Sequence, residues 1–233
     1  RLWVGTDENG IYIFDKNGNV QNITAYQGIG FNRIYKIFND AQKNIWVGTD
    51  GAGASIFKGF QFAELRIDEL YKPSFVMDIH QDKYENIWVA TEGQGLVKLT
   101  EKKHIHYTTD NGLTSNFTSD VVSDENGRVY TATNNGITVF NGKNISYLRK
   151  PKHLVTNIIE SLMIDNQGKL WAGTFGQGLQ CIETQKLYST ANGLSSDYIW
   201  DIYQATDSRI FVATDQGVNI IKNGQIVDTI NRM

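Results

Sequence analysis

The sequence predicts an all-β fold built from about six copies of one unit with short strands. Each copy contains an aromatic residue, two further residues and a threonine, and these anchor segments begin at Trp3, Trp46, Trp88, Tyr130, Trp171 and Phe211. Successive anchors are 40 to 43 residues apart, and the apolar runs between them are four to six residues long and rich in Ile, Val, Tyr, Phe and Trp. A repeat of this length with four short strands is typical of a β-propeller blade, whereas a helical repeat would show apolar residues spaced by three and four positions.

The turn residues divide one copy into four strands. An inner segment such as 199–203 leads into a turn, the anchor strand follows, a glycine-rich turn leads to a third strand such as 95–99, and a segment such as 104–108 completes the unit. The first turn has an aspartate six residues before the anchor, at Asp40, Asp82, Asp124 and Asp165. Aspartate opens such a turn because its carboxylate accepts hydrogen bonds from the N–H groups just ahead, and Gly127 and Gly168 can supply the positive φ that closes it. Ala205 has this place before Phe211, so the turn of the last copy is predicted to differ.

Six blades are predicted, approximately over residues 1–27, 32–68, 74–109, 116–149, 157–189 and 197–233. The first blade starts at its anchor strand, so we predict that it lacks the inner strand and has three strands. Ring propellers commonly close with a strand from the other terminus, but the last fourth strand, 225–230, is followed by no spare strand. We therefore expect a single propeller domain over 1–233, either complete with a three-stranded blade or part of a larger ring in a longer protein.

Composition and charge argue against several classes of protein. The formal net charge is −3 with acidic and basic residues interleaved, whereas a nucleic-acid surface needs clustered basic residues. The single cysteine, Cys181, falls in a predicted third strand and has no partner for a disulfide within the chain. No run approaches the roughly 18 apolar residues of a membrane-spanning helix. We predict no nucleic-acid partner and no membrane segment within this chain.

Three stretches resemble the repeat of the two-component regulator propeller family. They are 111–116 with 123–130, 192–197 with the Phe211 anchor, and 164–179. The family repeat reads Asn-Gly-Leu, small polar residues, an inner strand, Asp-x-x-Gly-x-Leu-Trp, an aliphatic residue with Gly-Thr, and a Gly-Leu turn. The chain departs from it where Tyr130 and Phe211 replace the tryptophan, where Lys43, Glu85 and Ser208 replace the turn glycine, and where only two copies are preceded by Asn-Gly-Leu.

The resemblance implies the extracytoplasmic sensing propeller of a membrane-bound histidine kinase, often a hybrid kinase of Bacteroidetes linked to polysaccharide use. It implies a periplasmic location and, as ligand, an oligosaccharide or another small molecule. Downstream domains of the same parent chain are the implied partners, and a second copy of the chain is a further candidate. Kinase motifs are absent from this sequence, so neither catalysis nor a cofactor is expected in this chain.

Two other functions stay open on the sequence alone. A weaker resemblance to streptogramin lyase propellers, which share the Trp-aliphatic-Gly-Thr strands, implies an enzyme with a histidine and a carboxylate at the propeller axis. Of the four histidines only His80 falls in an inner strand, which disfavours this enzyme. The other alternative is a scaffold that binds only protein and would have a broad apolar rim without a polar pocket.

One face of the propeller is predicted to bind the ligand, because the start of each inner strand and the turn after each anchor strand should lie on the same side. Residues thirteen positions before the anchors are largely aromatic, and residues directly after the anchor threonines are mostly acidic. Aromatic faces suit the C–H faces of sugar rings, and carboxylates accept hydrogen bonds from sugar hydroxyls. The candidate ligand-binding residues are Arg33, Phe75, Phe117, Tyr198, Asp50, Glu92, Phe175 and Asp215. The alternative is that the aromatic residues pack between blades and the acidic residues only form turns.

Polar residues ten positions before the anchors interrupt the apolar inner strands. Such a side chain needs a partner or water, because burying it unpaired costs about 1–3 kcal/mol. Asp78, Asp120 and Asp201 are therefore predicted to line a water-filled channel, with ion pairs between blades, such as Lys36 with Asp78, as the alternative. No metal site is predicted, because carboxylates from separate blades should be several ångströms apart.

Overall fold

The computed structural model describes residues 1–59, 61–65 and 75–231. In this part of the chain the regular elements are β-strands and three short 3-10 turns, which confirms the predicted all-β class. The strands form six consecutive antiparallel sheets, the first with three strands and the others with four, as predicted. The predicted boundary between the second and third blades, 68–74, lies outside the described residues. The chain divides into two compact units, Arg1–Thr118 and Ser119–Met233, and each is described by itself.

Unit 1 contains three blades. The first consists of β1 (Leu2–Gly5), β2 (Ile11–Phe14) and β3 (Val20–Ile23). The second consists of β4 (Ile34–Asn39), β5 (Ile45–Thr49), β6 (Ala54–Phe57) and β7 (Phe62–Glu64). The third consists of β8 (Val76–Gln81), β9 (Ile87–Thr91), β10 (Gly95–Leu99) and β11 (His104–Tyr107). Two 3-10 turns, Ala25–Gln27 and Thr109–Asn111, follow the first and third blades.

Unit 2 contains the other three blades, apart from the first residue of β12. The fourth blade consists of β12 (Thr118–Ser123), β13 (Val129–Thr133), β14 (Gly136–Asn141) and β15 (Asn144–Leu148). The fifth consists of β16 (Ile159–Ile164), β17 (Leu170–Thr174), β18 (Leu179–Cys181) and β19 (Lys186–Tyr188). After the 3-10 turn Thr190–Asn192, the sixth consists of β20 (Ile199–Gln204), β21 (Ile210–Thr214), β22 (Gly217–Lys222) and β23 (Gln225–Asn231). Among the described residues, no helix has the length and apolar character needed to cross a membrane.

The core of each unit lies between successive blades. In unit 2, Ile199 and Ile202 of β20 share a buried cluster with Trp171 of β17 and Leu179 of β18. The corresponding cluster of unit 1 joins the inner strand β8 to the anchor strand β5. Anchor strands are therefore covered by the inner strand of the next blade, which explains why their residues are apolar or small on both faces.

The turn before each anchor strand also holds the anchor side chain. The carboxylate of Asp165 accepts hydrogen bonds from the backbone N–H groups of Gln167 and Lys169 and from the indole N–H of Trp171, each at 2.9 Å. The same aspartate-to-indole bond joins Asp40 to Trp46 and Asp82 to Trp88. The aspartate thus forms the turn, as predicted, and also satisfies a buried indole donor, which the turn motif alone did not indicate.

The prediction that the turn before Phe211 differs is wrong for its backbone. The N–H of Ala205 donates to the carbonyl of Arg209 at 2.8 Å, and the N–H of Ser208 donates to the carbonyl of Ala205 at 2.9 Å, as in the turns that begin with aspartate. Backbone hydrogen bonds therefore form the turn without a carboxylate at its first position. Because the ring of Phe211 has no N–H or O–H, it also leaves no buried donor that an aspartate would have to satisfy.

Acid is expected to weaken the fold through Asp40. Burial alone would raise the pKa of this carboxyl, but hydrogen bonds from Trp46 and Asn44 outweigh burial, and the pKa lies below its ordinary value of 3.8. The folded protein therefore binds fewer protons at this site than the unfolded chain. This stabilisation is complete above about pH 5 and is lost as the pH falls through the folded-state pKa. The free energy of unfolding, measured with urea between about pH 5 and pH 2, should fall more steeply for the wild type than for Asp40→Asn.

The control for this measurement is Glu8→Gln, which removes the same charge from an exposed side chain in unit 1. Its pH dependence should match that of the wild type. If Asp40→Asn also followed the wild-type slope, the hydrogen bonds to Asp40 would not be a source of acid sensitivity.

Candidate functional site

Four of the inner strands carry a β-bulge near their start. The pairing of β20 with β21 passes from Ile199 to Asp201 and leaves Trp200 without an opposite residue, and β4, β8 and β16 skip one residue at the same place. A bulge bends its strand and redirects the side chain of the extra residue. Trp200 is 53% exposed and its counterpart in the second blade, Tyr35, is 43% exposed. The bulges therefore present two aromatic side chains that the sequence analysis did not include in the candidate site.

In unit 1, Arg33 joins the carboxylates of two successive blades. Its Nε lies 2.7 Å from Oδ1 of Asp7, and its Nη1 lies 2.7 Å from Oδ2 of Asp50. The hydrogen bond with Asp50, together with the charge of Asp7, raises the pKa of Arg33. Burial raises the pKa of the neighbouring Tyr35 phenol, and the charge of Asp50 adds to this effect. Arg33 and Asp50 thus lie together, as the predicted face requires, but each already has a partner of opposite charge.

The other candidates of unit 1 also lie where two successive blades meet. Asp50 and Phe75 form an isolated β-bridge between the second and third blades, and the N–H of Glu92 donates to the carbonyl of Phe75 at 3.1 Å. The ring of Phe117 lies against Gly93, where an added Cβ would be 3.6 Å from the ring. Phe75 and Phe117 are both exposed. The ring of Phe117 therefore packs against the preceding blade, as the alternative interpretation predicts, whereas Phe75 is joined to the preceding blade through its backbone.

In unit 2, the candidates Phe175 and Tyr198 form one cluster with Trp200, and we call these three residues the aromatic cluster. Phe175 and Tyr198 form an isolated β-bridge, and their ring centroids are 4.8 Å apart at an interplanar angle of 80°. Phe175 and Trp200 are 6.2 Å apart at 74°. The three side chains are 45%, 41% and 53% exposed, respectively. Edge-to-face contacts of this kind are a preferred arrangement of aromatic pairs, and they leave ring faces open to solvent.

An open cleft of about 470 Å³ adjoins the aromatic cluster. Trp200 forms part of its wall together with Asp215, the candidate that follows the anchor threonine Thr214. Val218 and Ile230 contribute apolar surface, and Asn231 contributes an amide. The cleft therefore combines an indole, aliphatic side chains and one carboxylate.

The three predicted channel residues differ in their surroundings. Asp78 is 4% exposed, and its Oδ1 lies 2.5 Å from Nζ of Lys36, so the ion pair weighed as the alternative is present. Asp120 accepts hydrogen bonds at 2.7 Å from the N–H groups of Val121 and of Leu162, which belongs to the next blade. Asp201 is exposed. In Asp78 and Asp120, the carboxylate therefore connects strands of adjacent blades.

The remaining polar groups give little support for other chemistry. Across residues 1–59, 61–65 and 75–231, no three His, Cys, Asp or Glu side chains are grouped so that they could hold a metal ion. His80 lies in the inner strand β8, where burial lowers its pKa. The hydroxyl of Ser161 is the one buried side-chain group of the described residues without a hydrogen-bond partner.

The fold is a β-propeller: it has six consecutive meander blades, and the next inner strand covers the anchor strands β5 and β17. The model of the two component regulator propeller matches residues 28–51 and 153–176, which include the anchors Trp46 and Trp171. The two matched segments are similar to the repeat of this propeller family and together cover about a fifth of the chain. A comparison with curated proteins gives no match.

Several solved structures share this fold. The extracellular domain of the hybrid two component system BT4673 from B. thetaiotaomicron aligns with a TM-score of 0.78 and 21% identity over 99% of this chain and 34% of that chain. PorZ of the type-IX secretion system of Porphyromonas gingivalis aligns with a TM-score of 0.73 and 15% identity over 93% of this chain and 36% of that chain. Virginiamycin B lyase from Staphylococcus aureus aligns with a TM-score of 0.77 and 10% identity over 99% of this chain and 80% of that chain. The chain thus spans about a third of the first two proteins, and at these identities the likeness concerns the fold alone.

Proposed function

We propose that this chain is a sensor propeller of a two-component signalling protein, with no catalysis of its own, and that it binds a glycan or a related small ligand in the periplasm. Ligand binding would change packing or dimerisation and so reach downstream domains of the same parent chain. The similarity of two segments to the two component regulator propeller repeat supports a role in two-component signalling. The similar domain of BT4673 is extracellular, which supports the proposed location.

One observation carries the ligand part of the proposal. The aromatic cluster holds Phe175, Tyr198 and Trp200 half-exposed, with their rings in contact. Exposed rings of this size cost solvation free energy unless they are covered, and a contiguous apolar patch rimmed by polar groups commonly marks a binding site. Sugar rings suit this surface because their C–H faces stack on aromatic rings while the hydroxyls find acceptors such as Asp215.

Truncation of the cluster is expected to weaken glycan binding. Tyr198→Ala and Trp200→Ala should each lower the affinity for a bound oligosaccharide roughly tenfold or more, because each removes a ring on which the sugar stacks. Isothermal calorimetry of the wild type against a panel of defined oligosaccharides identifies the ligand, and titration of the variants then measures the loss. Phe117→Ala tests separately whether the rings of unit 1 contribute.

The matched control is Tyr147→Ala. Tyr147 lies in unit 2 and is 44% exposed, much like Tyr198, but it belongs to the outermost strand β15. Its truncation should leave the affinity unchanged. Equal losses for Tyr147→Ala and Tyr198→Ala, or binding that persists in Trp200→Ala, would count against the aromatic cluster as the glycan site.

A lyase is the second candidate function, because the chain aligns with 80% of virginiamycin B lyase, far more than its share of the sensor proteins. His80 is the residue to test, since it is the histidine placed in an inner strand. Loss of virginiamycin B on incubation with the wild type, measured by chromatography and absent with His80→Ala, would favour the lyase. A protein-binding scaffold would instead be indicated by capture of a partner that survives Trp200→Ala.

A further inference from the structure

We infer that the aromatic cluster binds a sugar that carries a protonated amino group, and that Asp215 recognises this amine. The inference rests on the proposed glycan-sensing function and specifies its ligand class.

Trp200 belongs both to the aromatic cluster and to the cleft. The ring of Phe175 is 6.2 Å away at 74°, and Phe175 contacts Tyr198 edge to face. Trp200 also lines the 470 Å³ cleft together with Asp215. A ligand that stacks on the indole would therefore have both aromatic surface and a carboxylate nearby.

The charge of the cleft favours a cation. Among the described residues that line it, Asp215 is the one charged side chain, and none is basic. A carboxylate forms a stronger, charge-assisted hydrogen bond with an ammonium group than with a neutral hydroxyl. An ammonium group is also attracted to the face of an indole, the best of the aromatic rings for this contact. The indole and the carboxylate thus favour the same chemical group.

In unit 1, the carboxylates that follow the anchor threonines of the first two blades are paired with a cation of the protein itself. There Arg33 lies 2.7 Å from both Asp7 and Asp50, so those acidic groups already have a positive partner. In unit 2 the fifth blade has Phe175 at the position that Asp50 occupies in the second blade, and this adds ring surface in place of charge. Asp215 remains as the acidic group of the cleft, without a basic neighbour among the described lining residues.

The test compares three β-1,4-linked tetrasaccharides that differ only in the group on carbon 2 of each sugar ring. This group is an amine in the glucosamine oligomer, an acetamido group in its fully N-acetylated counterpart, and a hydroxyl in cellotetraose. Calorimetry at low salt should show that the wild type binds the glucosamine oligomer about tenfold more tightly than the other two. The preference should shrink as salt is added, because screening weakens an exposed charge pair. Asp215→Asn should remove the preference, and Trp200→Ala should weaken binding of all three sugars.

Asp228→Asn is the control variant. It removes the same charge from an exposed residue of the same blade, on β23 and outside the cleft lining, and should keep the preference. Circular dichroism and thermal unfolding establish that each variant is folded. Equal affinity for the three sugars, unchanged in Asp215→Asn, would overturn the amine inference and leave glycan sensing intact. Binding of none of them by the folded wild type would overturn the inference, whereas glycan sensing as such would fail only if the wider oligosaccharide panel were also silent.

Discussion

Replacing Asp165 with alanine is expected to lower the free energy of unfolding by about 3 kcal/mol, because a buried donor and two turn donors lose their acceptor together. The indole N–H of Trp171 donates to Oδ2 of Asp165 at 2.9 Å from a side chain that is 6% exposed. The N–H groups of Gln167 and Lys169 donate to the other oxygen. Urea unfolding at neutral pH measures the change, and circular dichroism should show that the remaining sheets are unaltered.

The sixth blade carries a natural combination of residues that suggests a double variant. The sixth blade has Ala205 and Phe211 where the fifth has Asp165 and Trp171, and its turn keeps the same backbone hydrogen bonds. Alanine is therefore tolerated where the anchor has no donor. The loss of unfolding free energy in the double variant Asp165→Ala/Trp171→Phe should be smaller, by about 1 kcal/mol or more, than the summed losses of the two single variants. The double variant leaves neither an unsatisfied indole nor an unsatisfied carboxylate.

Asp207→Ala serves as the comparison within unit 2. Asp207 accepts from the N–H of Arg209 at 3.2 Å in the same kind of turn, but it is exposed and no anchor side chain donates to it. Its loss should lower the free energy of unfolding clearly less than the loss of Asp165 does. If Asp165→Ala cost no more than Asp207→Ala, or if the double variant were additive within about 0.5 kcal/mol, the coupling of turn and anchor would be refuted.

The repeat was predictable because its signals are local. Aspartate and glycine mark each turn, short β-branched and aromatic runs mark each strand, and the 40 to 43 residue spacing marks each blade. The same logic predicted that the start of an inner strand and the turn after an anchor strand lie together, which the Asp50–Phe75 and Phe175–Tyr198 bridges show for adjacent blades.

What the sequence did not predict depends on partners that are distant in the chain. The bulge at Trp200 arises from the pairing of β20 with β21, and no local residue pattern marks it, so the ring that adjoins the cleft was overlooked. Asp78 and Asp120 stand at equivalent positions, yet one pairs with Lys36 of the preceding blade and the other accepts from Leu162 of the following blade. The partner of each carboxylate is decided by the neighbouring strand rather than by its own repeat.

Replacing Gly173 with valine is expected to destabilise unit 2 by about 3 kcal/mol or more, the upper range for overpacking a filled core. Gly173 lies in the anchor strand β17, next to Ile199 and Ile202 of β20 in the following blade. A Cβ at this position would lie 2.6 Å from Cγ2 and 3.0 Å from Cβ of Ile199, and 3.3 Å from Cδ1 of Ile202. Separations below 3.0 Å require a backbone shift, because these atoms belong to buried β-branched side chains with little rotamer freedom. Thermal and urea unfolding measure the loss.

Two further variants separate crowding from the conformational effect of removing a glycine. Gly168→Ala should cost about 1 kcal/mol, since Gly168 has a φ of +78° but no atom within 4 Å of an added Cβ. The double variant Gly173→Ala/Ile199→Ala should lose less unfolding free energy than the two single variants lose together. The reason is that the added methyl enters space that the shortened side chain vacates. Additive losses in that pair would mean that Gly173 is needed for a reason other than the approach of Ile199. A favourable coupling would explain why the anchor motif keeps glycine or alanine before its threonine: the next blade packs directly on that backbone.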